Sequence, residues 1–216
     1  MRKISLLILA YFFLGLIASA HAQQLSREEA FMALKDGNNA EARRRGAEWL
    51  GQTGLMADVP TLVEALRDPD DLVRSLAENS LWQVWSRSGD PAVDSLFQLG
   101  LEQMNGQDAE AAVETFNEII QRKPDFAEGW NKRATLYYLI GEYEKSLADC
   151  EEVIKRNPVH FGALSGFGLN FLQLHKPEQA LPYFQRALDV NPNLAQIQAA
   201  VEALKEFLSR QRRDSI

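Results

Sequence analysis

The stretch GWNKRATLYYLIGEYEKSLADCEEVIKRNP, residues 129–158, decides the fold of this chain. It closes on Pro158, and Pro124 and Pro192 stand 34 residues before and after that proline. Proline lacks an N–H group and disfavours helical backbone at the preceding residue, so each of these prolines is expected to end a helix. A 34-residue period closed in this way is typical of stacked helix-turn-helix units, which bury their apolar faces only against their neighbours.

Aligning the three units on their closing prolines brings residues of similar size into the same columns. Small residues fill two of these columns, which lets the two helices of a unit approach closely: Gly100, Ala134 and Gly168, and Ala112, Ser146 and Ala180. Bulkier residues fill others, among them Leu96, Trp130 and Leu164, and Phe116, Cys150 and Phe184. Turn-forming segments separate the two helices of each unit, as at Ile140-Gly141-Glu142.

This pattern resembles the tetratricopeptide repeat (TPR) over about residues 92–191. The middle unit is the best copy, and its matching residues are Trp130, Tyr137, Gly141, Tyr143 and Pro158. The first unit departs at Gln103, where an aromatic residue is usual, and the third departs at His175, where glycine is usual. The resemblance implies an all-α, right-handed α-solenoid.

After Pro192 an apolar stripe with spacings of three and four residues predicts one further helix: Leu194, Ile197, Val201, Leu204 and Leu208. The opposite face is polar. We expect this helix to cap the last repeat, with docking of a partner as the alternative.

A weaker repeat lies upstream, because residues 42–51 match residues 73–82 at an offset of 31. It resembles the short HEAT-like repeat of bacterial proteins, of the type found in phycobilisome (PBS) lyases. The residues that carry this resemblance are Val59, Pro60, Leu62, Ala65, Leu66, Asp68, Pro69, Val73 and Arg74. We therefore predict HEAT-like structure over residues 26–87. Its paired arginines, Arg43 and Arg74, are expected to bond nearby loop groups rather than to hold an anion.

Trp82 and Trp85 lie near the end of the HEAT-like stretch, and no Pro-, Gly- or Ser-rich linker follows them. We expect these side chains to pack against the first TPR helix, which predicts one continuous rod with a boundary near Gly89.

The first residues have the pattern of an export signal. Arg2 and Lys3 precede an apolar run over residues 4–17, followed by the small-x-small site Ala20-His21-Ala22. We expect cleavage after Ala22 and a periplasmic or secreted protein, with a retained anchor as the alternative. The predicted organisation is thus a signal peptide (1–22), HEAT-like repeats (23–88), three TPR units (89–192), and a capping helix with a basic tail (193–216).

Composition and motifs argue against several functions. The formal net charge of −7 disfavours nucleic acid as a partner, since its binding depends on basic phosphate contacts. Cys150 is the single cysteine, so the chain has no internal disulfide, and its position on an apolar stripe predicts burial. No His-Glu-x-x-His, Gly-x-Ser-x-Gly or phosphate-binding glycine loop occurs, and His160 and His175 lack ligand partners at metal spacing. We expect no catalysis, no metal and no cofactor.

The TPR resemblance places a peptide-binding groove along the first helix of each unit. The positions it carries over are Phe97, Gln98, Leu101 and Met104 in the first unit, Asn131, Lys132, Thr135 and Tyr138 in the second, and Ser165, Gly166, Leu169 and Leu172 in the third. Relatives that capture a chaperone C-terminus use several Lys, Arg and Asn residues here, whereas only Lys132 is cationic in this chain.

The groove is therefore expected to be largely apolar and suited to an apolar peptide or amphipathic helix. Gly162 and Gly166 would leave its floor bare, with crowding by the capping helix as the other explanation for these glycines. Two functions remain open: a protein-binding scaffold of the cell envelope, or a self-assembling component of an envelope complex.

Overall fold

A computed structural model describes residues 24–214 of the chain and shows an all-helical fold. The predicted export signal at 1–22 lies outside these residues. Within them no strand occurs, and a single 3-10 turn, Met56–Asp58, precedes α3. The helices are α1 Arg27–Leu34, α2 Ala40–Thr53, α3 Val59–Ala65, α4 Asp71–Trp85, α5 Pro91–Asn105, α6 Ala109–Arg122, α7 Ala127–Leu139, α8 Tyr143–Arg156, α9 Phe161–Gln173, α10 Pro177–Val190 and α11 Ala195–Asp214.

Helix ends follow the local sequence signals. The second helix of each TPR unit ends just before its proline, as the 34-residue period predicts. The C-cap residue stands directly before the proline in each case, at Lys123, Asn157 and Asn191. Aspartates cap α4, α5 and α6, where their side chains accept backbone N–H groups of the first turn.

The turn between the two helices of the second unit requires left-handed backbone, since Gly141 has φ 81°. His175 holds the matching position of the third unit at φ 56°, which is less favourable for a residue with a side chain.

Each TPR helix packs on its neighbours in sequence, from α5 through α10, which gives the predicted α-solenoid. The small-residue column has a direct cause: a Cβ at Gly168 would lie 2.3 Å from the Phe184 ring, and one at Gly100 would lie 2.6 Å from the Phe116 ring. In the second unit Ser146 takes the small position of α8, and its Oγ donates to the Ala134 carbonyl at 2.8 Å.

The last helix caps the solenoid, as the apolar stripe predicts. Val201, Leu204 and Leu208 of α11 are buried, and the first two pack on Ala180 and Phe184 of α10. None of the helices in the described region is both long and apolar enough to cross a membrane.

The prediction of one extended rod is wrong, because the N-terminal helices fold back onto the third TPR unit. Trp85 stacks on His160 with ring centroids 4.5 Å apart, and Trp82 contacts Phe161 edge-to-face at 5.2 Å. The expected contact of these tryptophans with the first TPR helix is thus replaced by burial against the start of α9. Gly162 makes room for this arrangement, since a Cβ there would lie 2.5 Å from the Trp82 ring.

Hydrogen bonds complete the contact between the two halves. Arg67 donates to the carbonyls of Val190, at 3.1 Å, and Asp189 at the end of α10. Asn193 donates to the Leu66 carbonyl at 2.8 Å, and Asn191 donates to the Glu78 carboxylate at 3.1 Å. The chain therefore curves until residues near 66 meet residues near 191.

The paired arginines are structural, as expected. Arg43 is buried and bonds both oxygens of Asp68, at 2.7 and 3.1 Å, while Arg74 donates to the Asp68 carbonyl at 2.9 Å.

Candidate functional site

The predicted groove residues of the first unit do not form an open surface. Phe97 is only 1% exposed and packs on Phe116 and Phe126, so the structure places it in the core rather than on a groove floor. Leu101 and Met104 are half-buried against the same cluster. Gln98 alone of the four is exposed. The aromatic and aliphatic side chains that suggested an apolar floor here are used to hold α5 on α6.

The second and third units form a cavity of about 140 Å³ between α7, α8 and α9. Five predicted groove residues line it: Asn131, Thr135, Tyr138, Gly166 and Leu169. Thr135 and Leu169 are exposed at the surface, whereas Asn131 is buried. The other lining residues are Ala134, Ser146, Cys150, Gly162 and Asn170. Leu172 packs instead against the Phe184 and Val201 cluster beneath α11.

Gly166 opens the cavity toward α8. A Cβ built at this position meets a single neighbour, the Cys150 Sγ, at 3.2 Å, so a larger side chain would fill the space above the sulfur. The capping-helix explanation is therefore wrong for both glycines, because Gly162 faces Trp82 and Gly166 faces Cys150. Burial raises the pKa of the Cys150 thiol to about 12, so this group is neutral and acts as an apolar wall. Cys150, Ser146 and Asn170 were not predicted as lining residues, although the bare position at Gly166 pointed to this region.

A buried charged cluster lies beside the cavity, at the junction with the N-terminal helices. The fully buried Glu128 carboxylate contacts Lys132 Nζ at 3.3 Å and His160 Nε2 at 3.2 Å. His160 Nδ1 accepts the Ala163 backbone N–H at 3.0 Å, which assigns its ring proton to Nε2 and makes that nitrogen the donor to Glu128. Sequence reasoning missed this pair because its members lie 32 residues apart, in neighbouring units.

Two further predicted groove residues, Lys132 and Ser165, bond to groups of the protein itself. Lys132 is neutralised by Glu128 and lies 5.7 Å from the Trp82 ring centroid, so it is not a free cation. Ser165 bonds its own helix, donating from Oγ to the Phe161 carbonyl at 2.8 Å. Among residues 24–214 no group of three His, Cys, Asp or Glu side chains is arranged to hold a metal ion.

The cluster predicts an acid-dependent loss of stability. Burial by itself raises the pKa of Glu128, but the hydrogen bond from His160 and the charge of Lys132 outweigh it and hold that pKa below its ordinary value of 4.5. A carboxylate whose pKa is lower in the folded than in the unfolded state stabilises the fold at pH values above its unfolded-state pKa. This contribution is lost as the pH falls through the folded-state pKa. The free energy of unfolding, measured with urea, is thus expected to fall as the pH drops below about 4.5. The fall should be shallower in Glu128→Gln, and an equal pH dependence in this variant and the wild type would contradict the stabilising role of Glu128.

Comparisons with known proteins agree with this architecture. The tetratricopeptide repeat family profile matches residues 93–126 and 127–160, the first and second units. A TPR repeat-containing protein of Rhizobium etli is 36% identical over 146 residues, which cover 68% of this chain and 71% of the relative.

Solved TPR structures share the fold. The Sgt2 TPR domain from Aspergillus fumigatus superimposes with a TM-score of 0.54 at 20% identity, covering 57% of this chain and 83% of that domain. The first TPR of Spaghetti (RPAP3), bound to the HSP90 peptide SRMEEVD, gives 0.53 at 19% identity, covering 54% and 93%. With the repeat period, the helix packing and the Rhizobium relative in agreement, the chain belongs to the tetratricopeptide repeat family.

Proposed function

We propose that this protein is a non-enzymatic interaction module that binds a peptide or an amphipathic helix of another protein along α7 and α9. The observation that carries the proposal is the 140 Å³ cavity, which brings together five groove residues from two units. Its mouth carries the exposed Thr135 and Leu169, and no cluster of metal-ligating side chains occurs in the described region. The peptide bound to the RPAP3 domain, which has the same fold, supports this type of ligand.

The bound segment is not expected to be a free C-terminal carboxylate. Capture of a carboxylate needs unpaired cations in the groove, and the one cation among the predicted groove residues, Lys132, is engaged by Glu128. An internal segment with apolar side chains fits the cavity better, because half of the lining residues are apolar or lack a side chain and the ring of Tyr138 adds a further apolar surface.

We further propose that the module acts as a scaffold in the bacterial cell envelope. The basic and apolar pattern at residues 1–22 supports export with cleavage after Ala22. We also propose that residues 26–87 are HEAT-like repeats. The packing of α2 on α4, and the shared Asp68 partner of Arg43 and Arg74, support a repeated helical unit there.

A larger side chain that fills the cavity should weaken peptide binding. A phage-displayed peptide library is selected on the wild-type protein, and the dissociation constants of the enriched peptides are measured by isothermal titration calorimetry. Gly166→Leu is expected to weaken binding at least about tenfold, since its side chain occupies the space above Cys150. The matched control is Ala148→Leu, at an exposed position on α8 outside the cavity lining, which should bind normally. Equal affinity of Gly166→Leu and wild type would refute the groove proposal.

Self-association is a second candidate function, favoured by exposed apolar side chains at the C-terminal end of α7. Leu139 is 68% exposed and Ile140 is 50% exposed. A concentration-dependent mass in light scattering, removed by Leu139→Ser with Ile140→Ser, would support self-association, whereas a monomer at every concentration would leave only the binding module.

A further inference from the structure

One end of the groove is occupied by a helix of the chain itself. Trp82, near the end of α4, lies so close to Gly162 of α9 that a Cβ there would stand 2.5 Å from its ring. The centroid of the same ring is 5.7 Å from Lys132 Nζ of α7. Trp85 follows one turn later and stacks on His160, with the ring centroids 4.5 Å apart. Because Gly162 and Lys132 are groove positions, the two tryptophans fill space that a bound segment would use.

Helix α4 meets the groove in the manner of a bound amphipathic helix. Its tryptophans are three residues apart, and side chains at this spacing lie on one face of a helix. Their rings contact each other edge-to-face at 5.3 Å, and both contact Phe161, at 5.2 and 5.1 Å. Recognition of a helix in a groove uses apolar anchors at i and i+3 in the same way. The aromatic face of α4 therefore shows which side chains this end of the groove accepts.

The turn that joins the two halves is bonded to each half on its own side. Arg87 donates to two carbonyls at the end of α2, at 2.5 and 2.6 Å, whereas Ser88 donates to the Asp94 carboxylate of α5. Gly89 has φ 77°, and a Cβ there would meet no atom within 4 Å. Hinges between rigid bodies consist of a few such loop residues. The closed chain also leaves Trp85 Nε1 buried without a hydrogen-bond partner in the described region, a cost that opening to water removes.

We propose that α4 is an internal ligand of the groove, and that the partner is an amphipathic helix with two aromatic side chains three residues apart, which displaces α4 and takes its place. The rings of His160 and Phe161 form an aromatic contact surface for such a helix, and the Lys132 ammonium lies within reach of an aromatic face. This assignment rests on the proposed function, since it names the chemistry of the bound helix and the contact that controls its access.

A fluorescently labelled peptide with the sequence of residues 70–87 tests this exchange. Its binding is measured by fluorescence anisotropy with the wild-type protein and with the double variant Arg67→Gln, Asn193→Ala, which loses hydrogen bonds between the halves at positions outside the groove. A ligand that binds only the open chain gains apparent affinity as the open population rises. We expect at least about fivefold tighter binding to the double variant, whereas a purely structural contact would give no gain. Equal binding to the two proteins, or binding to neither, would overturn the proposal.

The peptide supplies its own matched controls. A peptide with Trp82→Ala and Trp85→Ala should bind at least about tenfold more weakly, since aromatic anchors dominate such contacts. A peptide with Leu72→Ala, at an exposed position of α4, should bind like the parent. Saturating the wild-type protein with the parent peptide should increase hydrogen exchange at residues 189–194, which lie outside the groove and are released with the N-terminal half. Unchanged exchange there, or tight binding of the peptide without tryptophans, would also overturn the proposal.

The two proposals fail in different ways. If peptides from the library bind at the cavity but the 70–87 peptide does not bind the double variant, the assignment of α4 as an internal ligand fails while the proposed function stands. If the 70–87 peptide binds the double variant as expected but the library yields no binder for either protein, the proposed function fails while the occupation of the groove by α4 stands.

Discussion

Gly46→Ala is expected to lower the free energy of unfolding of the N-terminal helices by about 3 kcal/mol, the upper part of the range for overpacked cores. A Cβ at Gly46 of α2 would lie 2.3 Å from the backbone nitrogen of Leu34 and 2.6 Å from the carbonyl oxygen of Ala30. Both atoms belong to the backbone of α1, so no side-chain rotation relieves the clash. Helix α1 must move away from α2, and it then exposes Ala30 and Leu34, which are 0% and 5% exposed in the fold.

The matched control is Gly37→Ala, in the turn between the same two helices. A Cβ at Gly37 meets no atom within 4 Å, so this variant should change stability by less than about 0.5 kcal/mol. Urea unfolding measures the free energies, and hydrogen exchange of residues 27–34 reports whether α1 detaches. If Gly46→Ala were as stable as Gly37→Ala and α1 remained protected, the close packing of α1 on α2 would be wrong.

Local features of the sequence predicted the fold of the C-terminal half well. The closing prolines end α6, α8 and α10 where expected, because the effect of proline on the preceding residue is local. The small positions at Gly100 and Gly168 were also foreseen, and each faces a phenylalanine of its own unit. Such features follow from contacts within one repeat, which the 34-residue period records directly.

The closure of the chain could not be predicted in the same way. Trp82 and Gly162 lie 80 residues apart, and no periodic pattern connects them. The absence of a flexible linker suggested an extended rod, but the small rotation from one helix pair to the next accumulates along a solenoid and curves it. Trp82 and Trp85 then bury their rings against the surface that this curvature brings close to them, which is the start of α9.

The repeat pattern named some residues of the candidate site, but it could not give their burial, which depends on contacts between repeats. The TPR resemblance predicts that the first helix of each unit faces the groove, and three of the residues it names, Thr135, Tyr138 and Leu169, line one cavity. It does not report how far each position is covered, so Phe97 was included although it is buried. Asn170, which also lines the cavity, was not among the predicted residues, and it is fully buried.

The curvature of the chain is connected to the candidate site through the charged cluster of Glu128, Lys132 and His160. Glu128 and Lys132 belong to the groove helix α7, yet they contact His160 and Trp82 at the junction with the N-terminal helices. This junction covers the beginning of α7 and α9, where Gly162 forms one edge of the cavity, and leaves Thr135 and Leu169 exposed at its mouth. A change at the junction is therefore expected to alter access to the groove as well as stability.

Trp85→Ala is accordingly expected to cost about 3–5 kcal/mol and to separate the N-terminal helices from the third TPR unit. Trp85 is 4% exposed, stacks on His160 and contacts Phe161 at 5.1 Å, so its removal leaves a large void on both sides of the junction. Urea unfolding measures the loss, small-angle scattering should show a larger radius of gyration, and hydrogen exchange should increase at residues 157–163 and 189–194.

Two variants make this prediction specific to the junction. Trp130→Ala removes a half-buried tryptophan of the second unit that contacts Arg133 and Arg156, so it should destabilise that unit without changing exchange at 189–194. Arg67→Gln loses the donors to the end of α10, and it should raise exchange at 189–194 with a stability loss of only about 1 kcal/mol. Since both Trp85→Ala and Arg67→Gln break the same contact by different means, unchanged exchange at 189–194 in the two variants would show that the chain is open in solution. The beginning of α7 and of α9 would then be uncovered, and Lys132 would lose its contact with Trp82 while keeping its pairing with Glu128.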